Sequence, residues 1–168
     1  MTKSNGVEET AFTVQYDFVM PGRFDLKFVD SNGEEKRPLV VHRSSIGAIE
    51  RIAAFLLEHF DGALPLWLSP VQVKVIPISE KVMEYALEVT ESLKKAGVRV
   101  ELDTDAESLG KKIRNAEAMK IPYMIIVGEK EAENKTVSLR ARGQKDLGMM
   151  SVEEVIVLVA SEIKEKKI

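Results

Sequence analysis

The stretch "HRSSIGAIER", from His42 to Arg51, places a histidine, two arginines and a glutamate around Gly47. A neutral imidazole is a good zinc ligand and titrates near neutral pH. A guanidinium is a planar, permanently charged fork suited to phosphate oxygens. The chain has only one other histidine, His59, and no cysteine. That removes a disulfide framework, a thiolate zinc site and a cysteine nucleophile. A second concentration of charge lies further along. Between Ser108 and Lys145 there are nine basic residues against four acidic ones, a local excess of +5 in a chain whose net charge is −3. A local basic field can attract a polyanion whatever the global sum. The alternative for such a window is a solvated charged face.

The elements that must carry these groups follow from the hydrophobic rhythm. Hydrophobic residues make up 45% and charged residues 30% of the 168, a globular balance that allows one domain, or one small domain and part of another. No apolar run is long enough to cross a bilayer, and "MTKSNGVEET" has no secretory h-region, so we expect a cytoplasmic protein with no membrane partner. "FTVQYDFV" and "RFDLKFVD" alternate as strands, "RPLVVHR" does so less cleanly, and Asn32-Gly33 marks a hairpin turn between the last two. A helical period then runs from Ser45 to about His59, with Ile46, Ile49, Ala53, Leu56 and Leu57 inward and Ser44 or Ser45 as cap. After Pro70, "VQVKVIPI", "VRVELD", "PYMIIVG" and "TVSLRAR" read as strands. Helices are expected at "EKVMEYALEVTESLKKAG", "ESLGKKIRNAEAMK" and "SVEEVIVLVASEIKEKK". Val82, Tyr85, Ala86, Val89 and Leu93 would face inward from the first of these, and Gly97 would stop it. Strands separated by helices of this length predict an α/β fold with a mixed, largely parallel sheet flanked by helices. An antiparallel strand-plus-helix segment should precede it. The divisions are a leader over 1–12, expected to be disordered, a first segment over 13–69 and an α/β domain over 70–168.

"TVQYDFVMPGRFDLKFVD", followed by "RPLVVHRSSIGAIERIAAFLLEHFDGALPLWLSPVQVKVIPIS", resembles the last part of the catalytic core of the threonyl-tRNA synthetase family, whose members are class II aminoacyl-tRNA synthetases. "YALEVTESLKKAGVRVELD", "GKKIRNAEAMKIPYMIIVGEKE" and "VSLRARGQKDLG" resemble the anticodon-binding domain that follows it. The likeness covers over nine-tenths of the chain. It implies that Arg51 is the ATP-contacting arginine of the third class II motif, meeting charge on phosphate oxygens, and that Gln15 lines the active-site sheet near the adenylate. It implies that His42 is one of three zinc ligands of the intact enzyme. The other two family ligands come from sequence absent here, so no zinc, ATP or magnesium is expected on this chain. The first two class II motifs are also absent. The resemblance therefore implies threonine–tRNA ligase chemistry, and a homodimer, for the intact enzyme only. The chain alone should be inactive, a piece left by a cut, truncated or split gene.

The same resemblance assigns anticodon contacts to Arg114, Glu131 and Arg140. Single-stranded loop bases expose their Watson–Crick edges. Arginine can pair bidentately with guanine, and a carboxylate can accept from an amino or imino group. Threonine anticodons end in G-U, so a guanine reader and a uracil reader are expected, without assignment of which residue reads which base. Lys111, Lys112, Lys130, Arg142 and Lys145 are candidate phosphate contacts, the alternative for each lysine being a solubilising charge. Ala106 stands where family members can carry an asparagine that touches the anticodon. The partners implied are the anticodon loop of tRNA(Thr) and the missing catalytic core. Two other readings stay open: a free-standing, non-catalytic tRNA-binding module, and an assembly fragment that completes another chain's sheet.

Overall fold

The computed structural model describes residues 6, 8, 10, 12–44, 47–143 and 145–168. The disorder expected over 1–12 rests mainly on residues outside that set, as do Ser45 as a cap and Ile46 as an inward residue.

Alternation in "TVQYD" forms β1 (Thr13–Asp17), which continues into a short helix, α1 (Met20–Arg23). Asp17 Oδ1 accepts from the N–H groups of Val19 and Met20 and so covers donors that a helix start leaves open. The predicted strand "RFDLKFVD" contracts to β2 (Phe28–Val29), paired with β3 (Glu35–Lys36). Asp25 interrupts it at φ 47°. The hairpin turn falls where Asn32-Gly33 places it: Gly33 has φ 79°, and Asp30 Oδ1 accepts from the N–H groups of Asn32 and Glu34. β4 (Val40–Ser44) returns antiparallel to β1. Helix α2 (Ile49–His59) begins later than expected, after Ser44 Oγ accepts from Gly47 N–H. Its inward face also differs from the predicted one. Ile52, Phe55 and Leu56 are half-buried, whereas Ile49, Ala53 and Leu57 are exposed, because the described chain covers only one side of a helix that is apolar on more than one.

The second compact unit begins at Phe60, the first ending at His59. Residues 60–69, grouped by sequence with the first segment, are tied to the second unit by side-chain bonds to their backbone carbonyls. Gln72 Nε2 donates to Leu66 O, while Arg99 donates from Nε to Ser69 O and from Nη2 to Trp67 O. Five strands follow: β5 (Val73–Pro77), β6 (Val100–Leu102), β7 (Tyr123–Val127), β8 (Thr136–Ala141) and β9 (Lys145–Ser151). The helices are α3 (Met83–Lys95), α4 (Leu109–Ala118), α5 (Glu129–Asn134) and α6 (Val152–Glu165). The sheet order is β6-β5-β7-β8-β9. β5 pairs in parallel with β6 and β7, and β7-β8-β9 is an antiparallel meander. This is the expected mixed sheet flanked by helices. Its antiparallel share is larger than foreseen because β9, like α5, carries no periodicity that marks it in the sequence.

Period-two alternation sends each strand's side chains to two faces. Val73, Val75, Tyr123, Ile125, Val127, Val137 and Leu139 pack with Tyr85, Ala86, Val89 and Leu93 of α3 and with Val155 and Val159 of α6. Ile76 and Met124 face the other way and pack with Ala116 of α4 and Ile121. Ser151 caps α6 by accepting from Glu154 N–H, and Glu154 reciprocates to Ser151 N–H.

Candidate nucleic-acid interface

Arg140 is set by the register of β8. It lies opposite Met124 on β7, and the residues that alternate with it on β8, Val137, Leu139 and Ala141, pack with the α3–α6 core. Ser138 and Arg140 therefore stand on the face that α4 covers. The buried cluster on that face draws on β5, β7 and α4 and contains no residue of β8 or β9. Arg140 is half-buried there, and its Nε is shut off from solvent with no acceptor among the described residues. A buried donor without a partner is costly, and such atoms are uncommon in folded proteins. Across the strand pair, Arg140 faces Asp146 and Ser138 faces Met149, which is 69% exposed. Between those pairs Leu147 has no opposite number: the ladder steps from Leu139–Gly148 to Arg140–Asp146. Gly148, at φ 84°, makes this β-bulge, and Asp146 Oδ1 holds it by accepting Gly148 N–H.

Arg114 lies on the exposed side of α4 and makes no hydrogen bond or ion pair among the described residues. Glu131 is half-buried in the first turn of α5, and its Oε2 accepts the Gly128 N–H at 3.0 Å. Met124, opposite Arg140, and Gly128 are four residues apart, so about 13 Å of strand separates the levels of Arg140 and the Glu131 anchor. Ala106 lines a cleft of about 210 Å³ at the C-terminal ends of β5 and β6, with Ile78, Ser79, Met83, Thr104 and Lys112 among its walls.

The candidate phosphate residues separate into two groups. Lys130 and Lys145 are exposed, and Lys111 is exposed but paired with Glu107 at 2.6 Å. Lys112 is not a surface cation. Its side chain is 7% exposed and its ammonium lies 3.3 Å from Asp103 Oδ1. Lys74 approaches the other oxygen of Asp103 at 3.5 Å and Glu101 at 2.9 Å. Burial opposes the charge on Lys74, but the hydrogen bond and charge of Glu101, with Asp103 behind, outweigh it and raise its pKa. Arg142 is also committed internally, Nη1 donating to the carbonyls of Leu64 and Lys120 at 3.1 and 2.9 Å. Lys112 is thus held in the interior by Asp103, and Arg142 is bonded to two backbone carbonyls. The spacing in "GKKIR" gives no sign of which lysine points inward.

In the first unit, Gln15 and His42 are cross-strand partners in the β1–β4 pair and line a shallow, open depression with Asp17. His42 is exposed, and its Nε2 lies 2.9 Å from Asp17 Oδ2. The backbone N–H of Met20, then the bond to His42, lower the pKa of Asp17. Arg51 is exposed in the first turns of α2, with Nη1 3.5 Å from Thr10 O. Among the described residues no group of three His, Cys, Asp or Glu side chains could hold a metal ion. His59 is stacked on Phe55 in α2. The donors present do not fit a zinc site, and Arg51 alone does not make a nucleotide site.

Residues 72–162 match the family described as "Anticodon binding domain". The chain is 50% identical over 163 residues to a threonine–tRNA ligase of Clostridium botulinum (strain Eklund 17B), covering 97% of this chain and 25% of the relative. A threonine–tRNA ligase of Prosthecochloris aestuarii is 51% identical over 154 residues, 92% of this chain and 23% of the relative. The chain thus spans about a quarter of the length of these curated relatives. Among solved structures, the RNA-binding domain of threonyl-tRNA synthetase from Cryptosporidium parvum superposes with a TM-score of 0.77 at 36% identity, over 95% of this chain and 40% of that one. A prolyl-tRNA synthetase from the same organism shares the fold at 24% identity and a TM-score of 0.69, over 92% of this chain and 35% of that one. The matched residues contain all five strands of the second unit's sheet, so the chain belongs to the anticodon-binding-domain family.

Proposed function

We propose that the second unit binds the anticodon loop of a threonine tRNA, reading bases with Arg140, Arg114 and Glu131. The observation that carries this reading is the guanidinium of Arg140, half-buried on a partly covered sheet face with its Nε unpartnered. A base edge would supply the missing acceptors. Among the described residues Arg114 offers a second open fork, and Glu131 has one oxygen without a partner that could accept from an amino or imino group. Lys111, Lys130 and Lys145 would meet phosphates, adding affinity and salt dependence but not sequence preference.

Threonine activation would belong to a longer, cytoplasmic and homodimeric ligase. There Arg51 and Gln15 would contact ATP and adenylate with magnesium present, and His42 would join two zinc ligands from elsewhere. The first unit favours this over a free-standing binding module. Phe12, Tyr16, Phe18, Phe24 and Phe28 are all exposed, an apolar surface that the remainder of a catalytic core would cover.

The test is titration of this chain with a threonine-type anticodon stem-loop and with one whose G-U is replaced, at low and physiological salt. We expect a preference that survives salt. Arg140→Ala should lose about 1–3 kcal/mol on the threonine-type loop and much of that preference. Equal loss on both loops would make Arg140 a phosphate contact, and equal, salt-sensitive binding by the parent would overturn the base-reading proposal.

A further inference from the structure

Gly128, which closes β7 and opens α5, is buried and has φ −112° and ψ −177°. That is ordinary extended backbone open to any residue, so conformational freedom is not the reason for a glycine here. Space is the reason. A β-carbon at position 128 would stand 2.7 Å from Glu131 Oε2 and 3.0 Å from Ile78 Cδ1. The first distance is shorter than a carbon–oxygen pair tolerates, and the atom it displaces is the carboxylate oxygen that accepts Gly128 N–H at 3.0 Å. The bare Cα and its own N–H therefore define one seat for the Glu131 carboxylate. One oxygen is anchored, and the other is left to accept. A freely rotating glutamate would lose rotamer entropy on gripping a ligand, and an anchored one has already lost it.

We propose that Gly128 is a positioning residue for base reading: its missing side chain and its N–H hold the Glu131 carboxylate in the orientation that accepts a hydrogen bond from an anticodon-loop base. This rests on Glu131 being a base reader, as proposed above. Any larger residue at 128 leaves the carboxylate in place chemically but swings it off its anchor.

The test compares the parent chain, Gly128→Ala, Glu131→Ala and the double variant. Two quantities are read: the ratio of affinities for the threonine-type and replaced stem-loops, and the urea midpoint. Glu131→Ala should lower the ratio about fivefold or more, and Gly128→Ala should do nearly the same although its carboxylate is retained. The double variant should fall no lower than Glu131→Ala in ratio, because the glycine acts on base reading only through the carboxylate, whatever the Ile78 contact does to the midpoint. A purely structural role would lower both quantities in either background, and that result overturns the proposal. If Gly128→Ala keeps the parental ratio while Glu131→Ala loses it, the positioning role is overturned and the base-reading role of Glu131 stands. An unchanged ratio in Glu131→Ala overturns both. Should Gly128→Ala fail to fold, the same comparison is made in an Ile78→Val background, which removes the Cδ1 atom at 3.0 Å and leaves the clash with the carboxylate.

Discussion

At the scale of single residues, the second unit divides its cations by what surrounds them. Lys74 and Lys112 are brought within 3.5 Å of a single carboxylate, Asp103, whose side chain is 2% exposed. Among the described residues Asp103 is the one carboxylate paired with Lys112, while Lys74 also has Glu101, and an uncompensated buried charge is strongly unfavourable. Asp103→Asn should destabilise the chain by about 3–5 kcal/mol in urea unfolding. Its affinity for a stem-loop, corrected for the folded fraction, should not change, because none of the three groups is proposed to meet RNA. A comparable loss of affinity would place Lys112 back among the phosphate contacts. Arg114 and Arg140 show the opposite arrangement, guanidinium groups that find no acceptor within the described chain.

At the scale of elements, the β8–β9 pair decides what Arg140 faces. A regular ladder would place Leu147 opposite Arg140. The bulge at Leu147–Gly148 makes Asp146 its cross-strand partner instead. Gly148 holds the left-handed conformation that β-branched residues avoid. Gly148→Val should cost about 1–2 kcal/mol, seen as a lower Tm, and should flatten the preference between threonine-type and replaced loops by shifting β9 against β8. Retained preference with a lowered Tm would show that Arg140 is set by β7 and β8 alone. The helices behind the sheet follow simpler rules. α3 buries the residues its period selects, and α6 is closed at its start by the reciprocal Ser151–Glu154 cap.

At the scale of the whole molecule, the buried hydrophobic core lies in the second unit, from Leu66 to Val159, whereas the first unit leaves many of its large side chains in solvent. The second unit also sets the alkaline limit. Tyr123 donates to Glu162 Oε2 at 3.0 Å, and burial, then that bond, push its pKa far up. Lys74 is raised as well. Both groups hold their protons more tightly folded than unfolded. Their stabilisation is therefore complete below the unfolded values, near pH ~10, and is lost as pH climbs through the raised folded values. Chemical unfolding followed from about pH 8 to about pH 11 should show stability declining above ~10, and Tyr123→Phe should make that decline shallower. An unchanged slope in the variant would remove Tyr123 as a cause.

Periodicity and punctuation in the sequence determined four strands and three helices of the second unit and their layering. The inward face of α3 is fixed by helical spacing, and Gly97 and Ser151 mark helix ends by rules that act within a few residues. The Asn32-Gly33 turn belongs to the same local class. The tertiary structure alone decided which charges are outside. Lys111 and Lys112 are neighbours in one charged run, and only packing against Asp103 makes the second an interior cation. It also decided that Arg142 spans two backbone carbonyls, that β9 exists and carries a bulge beside Arg140, and that α2 half-buries Ile52 and Phe55 and leaves Ile49 and Leu57 exposed. These outcomes depend on contacts between residues far apart in the chain, for which local spacing carries no record. Arg114, Glu131 and Arg140 were singled out by resemblance alone, and their types suit the base reading proposed for them. Their freedom to do so, an unpartnered fork on one and a seated carboxylate on another, is a property of the folded sheet.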